Sequence, residues 1–127
     1  MINKDRLKNI CADIGVELDA QALERFELFA SMLVEKNKVL NLTAITDPEG
    51  IAVKHFADSL TALCMIDLQP GTKVIDVGTG GGFPGIPLLI ARPEIKLTML
   101  DSTGKKLAFV SQSVEELGLS ANIVHAR

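Results

Sequence analysis

Two aromatic residue types and any long apolar run are missing from this chain. It has no Trp and no Tyr, which excludes a Trp or Tyr platform for stacking bases. The densest apolar stretch, residues 83–91, is interrupted by Pro84 and Pro87, which excludes a membrane-spanning helix there. The N-terminal residues 1–6 are polar and lack the apolar core of a signal peptide. The sequence therefore predicts a cytoplasmic protein without a membrane partner.

Strong charge of one sign is also missing, and cysteine and histidine are scarce. The formal net charge of −3 excludes binding to nucleic acid by bulk positive charge alone. The chain has 2 Cys and 2 His, and their positions do not match any metal-ligand spacing, so we predict no metal site. Cys11 and Cys64 fall on apolar helical faces far apart in sequence. We therefore predict two free, reduced thiols in the core of a cytosolic protein.

What is present is an ordinary globular composition. Apolar residues make up 47% of the 127 residues and charged residues 23%, which indicates one small folded domain and excludes a disordered or fibrous chain. Two composition zones meet at the turn dipeptide Pro70-Gly71. Residues 1–70 have helical periodicity, as in Leu7, Ile10, Cys11 and Ile14, and we predict a helical cap for this zone.

Helix starts and stops are also visible in residues 1–70. Asp19 is predicted to cap a long second helix. Asp47, followed by Pro48, is predicted to start a third, and Asp58 with Ser59 is predicted to restart it.

Residues 71–127 alternate short strands with helices. The pattern predicts strands over 73–77, 96–100 and 122–125, with helices over 84–92 and 103–117 between them. This order is typical of parallel strands joined by right-handed crossovers. The predicted fold class is α/β: an N-terminal helical segment followed by the first βαβαβ half of a doubly wound, Rossmann-like sheet.

A glycine-rich turn follows the first predicted strand. Glycines let the backbone turn sharply and let a ligand approach without meeting a Cβ atom. Gly80, Gly82 and Gly85 have the spacing of the dinucleotide fingerprint, which keeps a fragment of an NAD-dependent oxidoreductase open as an alternative. Counted from the end of the strand at Gly78, however, the third glycine position is occupied by Phe83, which does not suit a dinucleotide.

Two carboxylates favour another cofactor. Asp76 lies inside the first strand, two residues before Gly78, and Asp101 ends the second strand 23 positions after Gly78. This arrangement is typical of class I methyltransferases that use S-adenosyl-L-methionine, where the second acid accepts both ribose hydroxyls. The alternative for Asp76 is that it only hydrogen-bonds the turn, and the alternative for Asp101 is that it only caps the next helix.

Four motifs in order resemble a specific family, the glucose-inhibited division protein B family. The resemblance covers residues 3–127, and it rests on Asn37-x-x-x-Asn41-Leu42-Thr43, His55-Phe56-Ala57-Asp58-Ser59, the run from Asp76 to Leu88 with Gly82-Phe83-Pro84-Gly85-Ile86-Pro87, and Leu100-Asp101-Ser102-x-x-Lys105-Lys106. One departure is Lys36, where the family often has Trp.

The resemblance implies a bacterial methyltransferase that modifies N7 of one guanine in 16S ribosomal RNA of the small subunit. It implies S-adenosyl-L-methionine as the cofactor, with Asp76 facing the sulfonium and Asp101 holding the ribose. Gly78 and Phe83 would line the methionine and adenosine end of the pocket, and the binding set is completed by Gly80 and Gly82. Guanine N7 carries a lone pair and no proton, so positioning and electrostatics suffice and we assign no catalytic base, nucleophile or metal.

Substrate contacts are expected from basic side chains. The predicted RNA-binding residues are Lys38, His55, Lys105 and Arg127. A solvated surface charge remains the alternative for each lysine, and a core or cap position remains the alternative for His55.

The family sheet has seven strands in the order 3-2-1-4-5-7-6, and the chain supplies strands one to three. We therefore expect a truncated protein, inactive or weakly active alone, with 71–127 as the first half of its methyltransferase domain. Its first strand should present an exposed edge at Val74, Ile75 and Val77, covered by self-association, a swapped segment or further residues. A non-catalytic module that binds a nucleotide or a partner through this edge is the third hypothesis.

Overall fold

A helical segment precedes a small sheet. The computed structural model describes residues 2–127, so Met1, the first residue of the predicted helical cap, lies outside the described residues. In chain order the elements are α1 (Lys4–Asp13), α2 (Ala20–Asn37), α3 (Pro48–Gly50), a π-helix (Ile51–Ala57), α4 (Asp58–Leu60), a 3₁₀-helix (Thr61–Cys64), β1 (Lys73–Val77), α5 (Gly85–Ala91), β2 (Lys96–Asp101), α6 (Gly104–Glu116) and β3 (Asn122–His125).

Polar side chains cap the first three helices. Asn3, Asp19 and Asp47 each accept a hydrogen bond from the backbone amide three residues later, at 2.8 to 3.0 Å. These bonds satisfy amides that have no partner within the helix. The predicted caps at Asp19 and Asp47 are confirmed. The prediction that Asp58 caps a restarted helix is wrong, because α4 continues the preceding π-helix and has no side-chain cap.

The π-helix was not predicted. In a π-helix residues five apart lie above one another, whereas α-helical periodicity pairs residues three or four apart. Ile51 and Phe56 form one such pair and Ala52 and Ala57 form another, and all four are buried. The wider turn of the π-helix therefore places both of these pairs against the core. A search for apolar residues at the α-helical period of 3.6 does not find such a spacing of five.

The three strands form a parallel sheet in the order β1-β2-β3. All three strands and both connecting helices match the sequence prediction to within a residue or two at each end. Right-handed crossovers in this strand order place α5 and α6 on the same face of the sheet. The inward residues Asp76, Leu97 and Met99 are accordingly buried on that face.

All five phenylalanines form one cluster between the two parts of the chain. Phe29 is fully buried at its centre, with its ring 5.7 Å from that of Phe56, 5.6 Å from Phe83 and 6.3 Å from Phe109. Phe26 packs on Phe56 at 4.9 Å. The cluster joins rings from the helical segment to rings from the glycine turn and α6, so one hydrophobic core spans the Pro70-Gly71 boundary.

The opposite face of the sheet is open. Ile75 is 66% exposed and Val77 is 73% exposed, and the register places Val77 beside Leu100 and Leu100 beside Val124, which is 38% exposed. The exposed apolar surface is therefore a sheet face that extends to β3. The prediction of an exposed Val74 is wrong in part, since Val74 points toward the helices and is half-buried.

The two cysteines differ in environment. Cys11 is buried in the core, and burial raises the pKa of its thiol to about 11, so it is an unreactive free thiol. The prediction that Cys64 is a core thiol is wrong, because Cys64 is exposed and its thiol lies 2.9 Å from the Ile14 carbonyl. The helix narrows to a 3₁₀-helix at Thr61, which ends the face on which Cys64 would have been buried. No helix within residues 2–127 combines the length and the apolar character needed to cross a membrane.

Candidate functional site

The glycine turn between β1 and α5 is anchored to the neighbouring strand. The amides of Gly78 and Thr79 donate to the Leu100 carbonyl at 2.8 and 3.0 Å. Gly80 has a φ of +56°, a conformation that side-chain-bearing residues rarely adopt, and a Cβ atom there would meet nothing within 4 Å. The turn thus presents bare backbone to open space at the carboxyl ends of β1 and β2. In open α/β sheets this is where ligands bind.

Asp76 is buried beneath this turn. Its Oδ2 accepts hydrogen bonds from the Thr79 hydroxyl at 2.6 Å and the Gly85 amide at 2.9 Å. Oδ1 accepts none from the described residues. The alternative interpretation of Asp76 as a turn-bonding residue is therefore correct for one oxygen and leaves the other available. Burial raises the pKa of the Asp76 carboxyl, while the bonds from Thr79 and Gly85 act in the opposite direction.

Sequence reasoning missed Thr79 as a partner of Asp76. Thr79 is buried, 2% exposed, although it lies in a turn. A signal was available in the spacing of an acid and a threonine three residues apart around a tight turn, where a hydroxyl reaches back to a carboxylate.

Gly85 lets α5 begin in contact with the sheet. A Cβ atom on Gly85 would lie 2.8 Å from Asp76 Oδ2 and 2.9 Å from the Met99 sulfur, so a side chain does not fit. The amide at the start of this helix already donates to the Asp76 carboxylate. A pyrophosphate at that helix start would meet a negative charge, which argues against the NAD alternative.

Asp101 connects the turn to the segment before α6. Its Oδ2 accepts from the Gly80 amide at 2.8 Å and its Oδ1 accepts from the Thr103 amide at 2.9 Å. These two bonds, Gly80 first, hold the pKa of the Asp101 carboxyl below its ordinary value, with a smaller contribution from Lys106. The alternative of a helix-capping role is correct in part, because Thr103 is the N-cap residue of α6. Each oxygen retains a lone pair for a further donor.

The structure brings the predicted cofactor residues together. They lie at the ends of two paired strands and in the turn that follows the first of them: Asp76, Gly78, Gly80, Gly82, Phe83 and Asp101. Phe83 is half-buried and its ring stacks on that of His55 at 4.5 Å. The arrangement offers two carboxylates and exposed turn backbone to one ligand, and it suits a ligand with hydroxyl donors and positive charge.

The predicted RNA-binding residues lie on four separate elements. Lys38 follows α2, is exposed and pairs with Glu35 at 2.9 Å. Lys105 is exposed in the first turn of α6, and Arg127 is exposed beyond β3. His55 is half-buried in the π-helix, with Nε2 2.6 Å from the Thr43 hydroxyl. Their substrate roles therefore remain predictions.

Two further features bear on ligands. A cavity of about 720 Å³ lies between the end of α2 and α6, lined in part by Lys38 and Phe109, and it does not include the glycine turn. Within residues 2–127 no three His, Cys, Asp or Glu side chains come together in a way that could hold a metal ion. The strand-end residues form the candidate site because they, unlike the cavity, lie at the carboxyl ends of parallel strands, where ligands bind in open α/β sheets.

Comparison with known proteins gives one family. The family model of rRNA small subunit methyltransferase G matches residues 22–127. The chain belongs to this family. Three curated relatives carry the name ribosomal RNA small subunit methyltransferase G. That from Pelotomaculum thermopropionicum is 43% identical over 97% of this chain and 52% of its own length. The relative from Alkaliphilus metalliredigens is 43% identical over 100% of this chain and 54% of its own length. The relative from Leuconostoc citreum is 47% identical over 91% of this chain and 49% of its own length.

The rRNA small subunit methyltransferase G family assignment agrees with the resemblance found in the motifs. It also agrees with the α/β architecture, whose three parallel strands form the first half of a Rossmann-like methyltransferase sheet. The chain spans about half the length of the curated relatives it matches.

Proposed function

We propose that this chain provides the S-adenosyl-L-methionine site for methyl transfer to N7 of a guanine in 16S ribosomal RNA of the small subunit, in the cytoplasm. The observation that carries the proposal is the pair of carboxylates, Asp76 and Asp101, at the ends of adjacent strands beside an open glycine turn. Relatives named for ribosomal RNA methylation supply the substrate class.

The residues present fit the cofactor. Space is free where Cβ atoms on Gly78 and Gly80 would lie, so the cofactor backbone and adenosine meet no side chain there. The free lone pairs of Asp101 would receive the two ribose hydroxyls. Asp76, whose Oδ1 is unbonded, would hold the positively charged end of the cofactor, and Gly82 and Phe83 would line the pocket.

The cofactor, when bound, supplies a methyl group activated by an adjacent positive sulfur. The chain orients that methyl group and its acceptor, since guanine N7 attacks with its own lone pair and releases no proton. No side chain is needed as a base, so none is proposed as catalytic. Lys38, Lys105 and Arg127 are proposed to hold RNA phosphates.

A methyl-transfer assay tests the proposal. Small ribosomal subunits lacking the N7 methyl group are incubated with labelled S-adenosyl-L-methionine and either this chain or the chain joined to the C-terminal half of the Pelotomaculum thermopropionicum relative. Label in 16S RNA at a guanine N7 supports the function. Calorimetry of the chain with S-adenosylhomocysteine and with NAD provides the control. Preference for NAD, or binding of neither by the folded chain, contradicts the proposal.

Asp76→Asn should remove the negative charge of this side chain while keeping its two hydrogen bonds to the turn. Both hydrogen bonds reach Oδ2, so the carbonyl oxygen of Asn can accept both. The raised pKa means that ionised Asp76 opposes folding above that pKa, so the neutral amide should leave the unfolding free energy at pH 7 unchanged or slightly higher. Affinity for S-adenosyl-L-methionine should fall about tenfold, the loss of one charge-assisted contact. Calorimetry and urea unfolding measure the two effects.

Asp13→Asn is the matched control, since Asp13 is exposed at the end of α1 and has no hydrogen bond within the described residues. It should change neither quantity. Unaltered cofactor affinity in Asp76→Asn would remove Asp76 from the proposed site.

We also propose that copies of this chain associate through the open sheet face. Ile75→Lys places a charge on that face and should lower the fraction of dimer measured by analytical ultracentrifugation at least severalfold. Val39→Lys is the control, because Val39 is 79% exposed and lies beyond α2 rather than on the sheet. A monomeric wild-type chain at high protein concentration would contradict this proposal.

A further inference from the structure

The end of α2 is tied to the following segment by one side chain. Asn37 Oδ1 accepts from the Leu42 amide at 2.7 Å and the Thr43 amide at 2.9 Å, and its Nδ2 donates to the Thr43 carbonyl at 2.9 Å. Three bonds from one half-buried amide fix the position of Thr43, which lies in a stretch without regular secondary structure.

Thr43 in turn holds the His55 ring. Its hydroxyl oxygen accepts from the Ile45 amide at 3.0 Å and lies 2.6 Å from His55 Nε2. A hydroxyl oxygen has two lone pairs and one proton, so Thr43 can either donate to Nε2 or accept from it while it accepts from Ile45, and the bond holds the ring in both cases. Burial lowers the pKa of His55, which agrees with a neutral ring.

His55 lies flat against the glycine turn. Its ring stacks on Phe83 with centroids 4.5 Å apart and an interplanar angle of 21°. Leu42 lies near the turn, because a Cβ atom added to Gly81 would be 3.5 Å from Leu42 Cβ. The stacking of His55 on Phe83 is therefore the contact that links the segment organised by Asn37 to the turn.

We propose that Asn37, Thr43 and His55 form a positioning relay that holds Phe83 and the glycine turn in the conformation that binds the cofactor. The relay residues act through Phe83 rather than on the cofactor itself. This role differs from the predicted contact of His55 with RNA. It rests on the proposed cofactor site, and its consequence is that the helical segment before Pro70 sets cofactor affinity.

Thr43→Val tests the relay, because it removes the hydroxyl and keeps the branched shape. We expect affinity for S-adenosylhomocysteine to fall about tenfold, by calorimetry, and Thr43→Ser to restore it. Nitrogen NMR should show a single neutral tautomer of His55 in the wild-type chain and a mixture of tautomers in Thr43→Val. Thr61→Val, which removes an exposed hydroxyl bonded to the Asp58 carbonyl, should behave as wild type in both measurements.

Hydrogen exchange without cofactor separates failure of the relay from failure of the proposed function. The amides of Gly82 and Phe83 donate to the Thr79 carbonyl, and their exchange should accelerate about tenfold in Thr43→Val but not in Thr61→Val. A wild-type chain that binds no S-adenosylhomocysteine contradicts the proposed function, while this acceleration would still support the relay.

The relay is overturned if Thr43→Val changes neither the amide exchange of Gly82 and Phe83 nor the affinity for S-adenosylhomocysteine. It is also overturned if Thr43→Ser loses as much affinity as Thr43→Val. Asn37→Asp serves as the second variant if Thr43→Val does not fold. It can keep both accepted bonds but sets a carboxylate oxygen against the Thr43 carbonyl in place of the donated bond, so it should displace Thr43 and lower the affinity in the same direction.

Discussion

Replacing Asp101 by Ala should weaken S-adenosyl-L-methionine binding by at least about 100-fold, the largest loss that we expect from one polar side chain here. In the proposed site Asp101 receives two ribose hydroxyls, and hydrogen bonds to a charged group contribute about 1.5–3 kcal/mol each. The same carboxylate accepts the amides of Gly80 and Thr103, so the variant also frees the glycine turn. Both effects reduce affinity, and isothermal calorimetry measures their sum.

The pH dependence of the unfolding free energy measures how much the Asp101 carboxylate stabilises the folded chain, separately from its contacts with the cofactor. Asp101 has a lowered pKa in the folded chain, so its ionised form contributes stability above the ordinary value of 3.8, and that stability is lost as pH falls through the folded pKa. Urea unfolding of the wild type and Asp101→Ala should therefore differ at pH 7 and converge below pH 3.8. Asp13→Ala is the control for both experiments. Cofactor affinity equal to wild type in Asp101→Ala would refute the ribose assignment.

Phe29→Ala should cost about 3–5 kcal/mol of unfolding free energy, a large share of the roughly 5–15 kcal/mol typical of a whole domain. Phe29 is fully buried, and its ring packs on those of Phe56, Phe83 and Phe109. Truncation leaves a cavity bordered by both parts of the chain. Urea unfolding monitored by circular dichroism measures the loss.

Leu28→Ala is the neighbouring control, since Leu28 is 40% exposed on the same helix and should cost less than about 1 kcal/mol. We expect one unfolding transition in the wild type, because the phenylalanine cluster joins residues 1–70 to residues 71–127. Equal costs for the two variants would contradict the central role of Phe29. Two separate transitions would show that the predicted segments are independent domains.

Much of the second half of the fold could be predicted because its signals are local. Three strands, two helices and the glycine turn follow from short apolar runs, from Pro93 and from glycines at the element ends. Asp101 was recognised from its position at the end of a strand. The caps at Asp19 and Asp47 were equally local, because a capping side chain bonds an amide three residues away.

Other features depend on packing between distant residues. The π-helix arises where Ile51, Ala52, Phe56 and Ala57 must all reach the core, and the exposure of Cys64 follows from the 3₁₀-helix that ends this region. The open apolar region was expected as a strand edge. β1 is an edge strand as expected, and the apolar surface also extends across the sheet face to Val124, because α5 and α6 both cover the other side.

The sequence by itself determined the α/β class, the order of its elements and the glycine turn between two carboxylates, since residue spacing along the chain encodes all three. Only the tertiary structure decided how those carboxylates are used. Asp76 bonds Thr79 and Gly85, and Asp101 bonds Gly80 and Thr103. The stacking of His55 on Phe83, 28 residues later in the chain, was likewise decided by packing, because a contact at that separation exists only once helix and sheet share one core.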